Sequence, residues 1–203
     1  MTGAEGPIRA FIAVSISSAA KSALANVIQR LAGQLPTGVR WVDPAGMHLT
    51  LKFLGDVEPG LVDGIIEAIS RPAAGASPFS IHLSGLGLFP NERRPRVLWA
   101  GVQGGLDALQ QLQEQIEDTM SRLGFLGERR PFSPHLTLGR VRDPVYSGLM
   151  RRISAAVTST SLEPTEPWQV DSVHLMRSTL TPAGARYSEL ASVPLGRAGG
   201  TDE

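Results

Sequence analysis

The sequence predicts an α+β fold built twice over: an internally duplicated, bilobal chain with two antiparallel sheets about a pseudo-twofold groove and helices on the outer faces. Three observations carry that expectation. The tetrapeptide His-Leu-Thr-Leu occurs at 48–51 and again at 135–138, 87 residues apart. The same offset lays Arg9-Ala10-Phe11-Ile12-Ala13-Val14 over Arg96-Val97-Leu98-Trp99-Ala100-Gly101, Pro44 over Pro131 and Asp56 over Asp143. Each unit also runs through the same succession of patterns: an apolar strand, an amphipathic helix, a loop with proline and a second strand.

The opening strands are Phe11 to Ile16 and Val97 to Val102, short apolar runs with polar or glycine residues at their ends. A helix follows the first, with Ser17 or Ser18 as N-cap, Leu24, Val27, Ile28 and Leu31 on its buried face and Gly33 as terminator. The second helix carries Leu106, Leu109, Leu112, Ile116, Met120 and Leu123 at the same spacing and closes at Gly124. Such stripes are core, not cofactor contacts. Later strands are expected at Phe79 to Leu83 and Trp168 to Val173, with outlying apolar stretches at Leu86 to Phe89 and Val173 to Met176. Arg71 to Pro78 reads as a connection between elements, not a linker. At 203 residues the chain is expected to form one two-lobed domain over 1–203, with 197–203 as a frayed tail.

Composition narrows the function. Apolar residues make up 42% and charged residues 19%, the balance of a globular protein with a core. The 19 Lys and Arg cancel 19 Asp and Glu, so a polyanionic partner must meet a local basic patch. Cysteine is absent, which excludes disulfides, thiolate catalysis and cysteine zinc sites. With no apolar run of membrane-spanning length and no signal-like start at Met1 to Gly6, the expected location is the cytoplasm, without membrane association.

The chemistry lies in the repeated tetrapeptide. Strand alternation sends Leu49 and Leu51 to one face and His48 and Thr50 to the other, the latter pair roughly 6 to 7 Å apart. His135 and Thr137 stand against Leu136 and Leu138 in the same way. Given a histidine, Leu-Thr-Leu follows by chance roughly once in a thousand trials or more, so two copies among four histidines need a cause. Duplication alone supplies one. It does not explain why both polar residues persist while the flanking loops diverge. Two imidazoles across a groove suit in-line attack on a phosphodiester, one taking a proton from water and the other giving one to the departing oxygen. The threonine hydroxyls suit the non-bridging phosphate oxygens.

These residues, with Arg40-Trp41-Val42, Lys52-Phe53-Leu54-Gly55, Ser84-Gly85-Leu86-Gly87, Arg94-Pro95-Arg96-Val97-Leu98-Trp99 and Pro131-Phe132-Ser133-Pro134 through Gly139-Arg140, resemble the two-histidine phosphoesterases over nearly the whole chain. Within that superfamily the likeness is to the LigT-like RNA 2′,3′-cyclic phosphodiesterases, also called 2′-5′ RNA ligases. The resemblance implies a metal-free hydrolase that opens a 2′,3′-cyclic phosphate at an RNA or nucleotide end to a 2′-phosphomonoester. It makes His48 the proton donor, His135 the proton acceptor, and Thr50 and Thr137 phosphate ligands. Residue patterns alone do not separate the two histidine roles. Arg140, on the opposite parity from His135, is a weaker candidate substrate contact. No cofactor is implied, and one chain completes a site, so a monomer is expected.

Other signals are set aside. His82 and His174 lack the following threonine and read as structural. No His-x-x-x-His or acidic ligand spacing suggests a metal site. Gly85-Leu86-Gly87 begins like a dinucleotide fingerprint but places Pro90 where its third glycine belongs. Basic clusters at Arg93, Arg94 and Arg96, at Arg129-Arg130 and at Arg151-Arg152 read as solvated loops with a lesser prospect of steering RNA. Phe53 and Trp41 read as core residues before base-stacking ones. Two rival functions use the same residues: an RNA 2′-5′ ligase, and a non-catalytic module that grips an RNA end.

Overall fold

The computed structural model describes residues 6–128, 130–143, 146–181 and 184–196. The expected tail at 197–203 and Arg129 lie outside the described residues. In chain order the elements are β1 (Ile8–Val14), α1 (Ser18–Gln34), β2 (Val39–Trp41), β3 (Leu49–Val57), α2 (Val62–Gly75), β4 (Phe79–Phe89) and β5 (Val97–Gly104). They continue with α3 (Leu106–Arg122), β6 (His135–Val141), α4 (Ser147–Ser159), β7 (Trp168–Val170), β8 (Ser172–Thr181) and β9 (Gly184–Pro194).

Two antiparallel sheets result, ordered β3-β1-β8-β9 and β2-β6-β5-β4-β7. The repeats exchange strands. β1 and β3 of the first repeat are joined by β8 of the second, and β5 and β6 of the second by β4 of the first. Neither repeat builds its sheet alone, so the lobes depend on each other for their central pairings.

One apolar cluster spans both sheets and the helices. It takes Ile12, Val14, Leu49 and Leu51 from the first sheet, Leu98, Ala100, Leu136 and Leu138 from the second, and Leu24, Ile65, Ile116 and Ile153 from the four helices. Fully burying each such side chain stabilises the fold by about 2 kcal/mol before entropy is counted. The opposite face of the first sheet carries a separate small cluster of Phe11, Ala13 and Met176. The helices therefore take the Leu side of each motif and leave the His-Thr side uncovered by that core.

Several expectations change. Ser17 is the N-cap of α1, its hydroxyl accepting from Ala20 N at 3.1 Å. Gly33 does not end that helix, which continues until Leu35 N–H closes on Leu31 O at 2.8 Å. Arg71 to Pro78 is not simply a connection, because α2 runs to Gly75 with Pro72 buried inside it. Its Gly64, Pro72 and Gly75 mask a helical face made by Ile65, Ile69 and Ala73. Phe79 to Phe89 is one strand with a register shift between Leu83 and Leu86, where Gly85 has φ +76°. Trp168 to Val173 divides at Asp171 between the two sheets, β7 against β4 and β8 against β1.

Candidate functional site

His48 stands immediately before β3, and His135 is the first residue of β6. Each imidazole is held in the same way. His48 Nδ1 donates to Gly46 O at 2.9 Å and His135 Nδ1 to Ser133 O at 2.7 Å. A carbonyl oxygen only accepts, so both rings carry hydrogen on Nδ1, leaving each Nε2 to accept a proton when neutral or donate one when charged. Gly46 and Ser133 are themselves 87 residues apart, so the anchor repeats with the motif.

Aromatic rings wall both histidines. Phe11 and Tyr187 meet His48 edge-on at centroid distances of 6.4 and 6.2 Å. Phe89 and Trp99 meet His135 at 5.0 and 6.4 Å. The sequence reading named none of the four as site residues. Phe11 opens the short apolar run expected as the first strand, whereas Tyr187 belongs to β9, a strand outside that expectation.

Register places the motif threonines. On the first sheet Thr50, Ala13 and His174 form one cross-strand row. On the second, Thr137, Trp99 and Gly87 form another. Opposite residues in an antiparallel pair share a face, and Phe11 and Ala13 lie away from the main core. Thr50 and Thr137 are both half-buried. The two lobes are tied close by: Trp41 pairs with Gly139, and Val42 N donates to Leu138 O at 2.9 Å. Only six residues then lead to His48, a reach of at most about 20 Å.

Both motif strands carry a bulge at the same place. On β1 the partner jumps from Lys52 to Thr50 between Ile12 and Ala13, and on β5 from Gly139 to Thr137 between Leu98 and Trp99. The passed-over residues are Leu51 and Leu138. A bulge resets alternation, so Leu51 and Lys52 are both buried, as are Leu138 and Gly139. The next residues, Phe53 and Arg140, turn outward. This corrects the parity expected for Arg140, which lies on the face of His135 and Thr137. It also corrects Phe53, which is 61% exposed and not core, with its ring 6.0 Å from Phe11. Trp41 is half-buried against the core, as read.

A hollow of about 740 Å³ lies past Phe53, between Leu54 to Asp56 and the segment Gly124 to Glu128 with Arg130. Neither histidine lines this hollow.

Among the described residues, Lys21, His174 and Glu189 supply charge near His48. His174 is buried on the Thr50 row, its Nδ1 2.8 Å from Glu189 Oε2 and its Nε2 3.1 Å from Ser15 Oγ. Lys21 donates to Ala45 O at 2.9 Å, next to the Gly46 carbonyl that holds His48. Burial lowers the pKa of His48, the Gly46 hydrogen bond opposes that shift, Lys21 and His174 add to it, and Glu189 opposes it. His82 pairs with Gln103 at the far end of β4–β5 from Phe89. Among the described residues, no three His, Asp or Glu side chains come together as a ligand set for a metal, and no helix is long and apolar enough to cross a membrane. Of the basic clusters, Arg96 is ion-paired with Asp143, and Arg152 donates to Gln34 O at 3.4 Å.

The family model described as LigT like phosphoesterase matches residues 14–99 and 101–187, two matches that begin 87 residues apart. An RNA 2′,3′-cyclic phosphodiesterase of Geobacillus stearothermophilus is 36% identical over 190 residues, which are 91% of this chain and 56% of that protein. The chain thus spans little more than half the length of that relative. One of the same name from Methanothermobacter thermautotrophicus is 33% identical, covering 90% of this chain and 96% of the relative. Among solved structures, TT0787 of Thermus thermophilus superposes with a TM-score of 0.76 at 27% identity, covering 95% of this chain and all of that one. LigT of E. coli complexed with 3′-AMP gives 0.73 at 25% identity, covering 93% and 98%.

Proposed function

The chain belongs to the LigT-like phosphoesterase family, and from that premise we propose that it hydrolyses a 2′,3′-cyclic phosphate at an RNA or nucleotide end to a 2′-phosphomonoester, without a metal. Water attacks phosphorus as His135 Nε2 takes its proton. The bond from phosphorus to the 3′ oxygen breaks, and that oxygen takes a proton from His48 Nε2, leaving a 3′-hydroxyl. Thr50 and Thr137 donate to the non-bridging oxygens, where charge builds in the transition state. Arg140, turned to the same face, offers a cation to the substrate.

The observation that carries the reading is the duplicated anchor. Two imidazoles are fixed through Nδ1 to the carbonyl two residues upstream, 2.9 and 2.7 Å away, so each keeps Nε2 for proton transfer. Burial lowers the pKa of His48 below the ordinary histidine value, which favours its neutral form in the free protein. The acid role then requires the substrate's phosphate anion, which favours the imidazolium when bound. One chain supplies both acid and base, so the reading asks for no second subunit.

The test is product analysis in EDTA with adenosine 2′,3′-cyclic phosphate and a short RNA bearing that end, using the wild type, His48→Ala and His135→Ala. The expected product is a 2′-phosphate, with each variant slowed by on the order of 10³-fold. Product formed equally by the variants, or dependent on added metal, would sink the reading. A joined RNA in place of the 2′-phosphate would indicate ligation.

A further inference from the structure

Arg40 and Arg140 are directly opposite each other in the β2–β6 ladder. Both are exposed. Their neighbours in register fix the face: Val39 with Val141, and Trp41 with Gly139, pack inward against the core. The two guanidinium groups therefore project together on the other face, that of His135 and Thr137. Among the described residues neither arginine has a carboxylate partner, whereas Arg96 and Arg122 do. Like charges directly opposite in a sheet repel, and an anion placed between them removes that repulsion.

The pair stands in a defined place relative to the motif. Arg40, Arg140, Val97 and Phe89 form one cross-strand row, and Thr137, Trp99 and Gly87 form the next. With Leu138 taken up in the bulge, the rows are two ladder positions apart, about 7 Å. That is close to one nucleotide along a backbone. The guanidinium fork suits phosphate oxygens.

Resting on the proposed hydrolase reading, we propose that Arg40 and Arg140 form a second phosphate site, which holds the phosphate on the 5′ side of the terminal nucleotide while the cyclic phosphate lies between the two His-Thr motifs. The site gives the protein a preference for an oligonucleotide end over a free cyclic nucleotide. Arg40 acts by binding and takes no part in the proton transfers.

The test compares kcat/KM for adenosine 2′,3′-cyclic phosphate, for its 5′-phosphorylated form, and for the dinucleotide ApA ending in the cyclic phosphate. The proteins are the wild type, Arg40→Gln, Arg140→Gln and, as a control on the outer helix α2, Arg71→Gln. In the wild type both substrates with a second phosphate are expected to exceed the simple nucleotide by about tenfold. That ratio should fall toward one in Arg40→Gln and Arg140→Gln, chiefly through KM, and stay put in Arg71→Gln. An advantage of the dinucleotide that survives in both variants, or that the 5′-phosphorylated nucleotide lacks, would overturn the proposal, since the second nucleoside would then be the group recognised. Fluorescence anisotropy of a 5′-labelled ApA carrying a 2′-phosphate separates this from the catalytic reading. Weaker binding in Arg40→Gln supports the site even if no cyclic phosphate is turned over, and unchanged binding counts against it.

Discussion

Leu51 and Leu138, 87 residues apart, are each the extra residue of a bulge in a motif strand. The first bulge turns Lys52 into the interior, where its ammonium meets Glu117 Oε1 at 2.7 Å and Leu126 O at 2.9 Å. The second turns in Gly139, where a Cβ would stand 2.7 Å from Val39 and 3.0 Å from Trp41. The repeats thus share a backbone device and fill it with different residues. What they gain in common is an outward position at Phe53 and Arg140, one aromatic and one cationic, on the motif faces.

The buried ammonium gives the first prediction. Lys52→Ala leaves the partly buried Glu117 carboxylate without its cation and is expected to cost about 3 kcal/mol in urea unfolding. Lys52→Met combined with Glu117→Gln should restore most of that loss, because no unpaired charge remains. If the double variant is no more stable than Lys52→Ala, packing and not charge sets the cost.

Gly87 gives the second. A Cβ at this position would overlap Trp99 Cζ2 and lie 2.5 Å from Cε2 and Cη2. The indole cannot retreat freely, since it stacks on Phe89 at 5.1 Å with an interplanar angle of 29° and also borders His135. Gly87→Ala should cost about 1 to 3 kcal/mol and lower activity through a displaced ring. Adding Trp99→Leu should recover the stability while the activity stays low. Recovery of both would show that the indole is packing alone.

How much of this was legible in the sequence depended on periodicity. The 87-residue repeat, the motif strands and the two long helices were readable because Leu49, Leu51, Leu109 and Ile116 follow regular spacings. α2 and α4 were not, since glycine and proline interrupt the first and Arg151-Arg152 resembles a loop in the second. The strand exchange leaves no local signal, because pairing of β4 with β5 and β8 with β1 is decided by long-range packing. Bulges are equally silent. Strict alternation put Arg140 on the wrong face and gave no reason to turn Phe53 outward. His48, Thr50, His135 and Thr137 precede the bulges, which is why their shared faces could be read.

Thr50 and Thr137 give the third prediction. Valine keeps the β-branched shape and removes the hydroxyl, so Thr50→Val and Thr137→Val should fold normally. Each should lower kcat on a 2′,3′-cyclic phosphate by on the order of 10²-fold if the hydroxyls donate to oxygens that gain charge in the transition state. A rise in KM alone, with kcat intact, would mean that they bind substrate and transition state equally.

The last prediction follows from the sign of the His48 shift. Burial is its largest cause and lowers the pKa below the ordinary 6.5, with Lys21 and His174 acting in the same direction and the Gly46 carbonyl and Glu189 opposing. A lowered histidine pKa means the unfolded chain takes up its proton first as pH falls. His48 therefore costs nothing above about pH 6.5 and destabilises the fold progressively below it, an effect His48→Gln should remove. For activity, kcat/KM reports the free protein. If His48 is the acid, the protonated fraction declines as pH rises through its lowered pKa, so the alkaline limb of kcat/KM should centre below 6.5. In kcat the same limb should move upward, because the bound phosphate anion favours the imidazolium. Lys21→Met removes a cation and should shift the kcat/KM limb toward higher pH; Glu189→Gln removes an anion and should shift it lower. A limb that neither substitution moves does not belong to His48. An acidic limb that moves with both would make His48 the base and His135 the acid, reversing the roles assigned above.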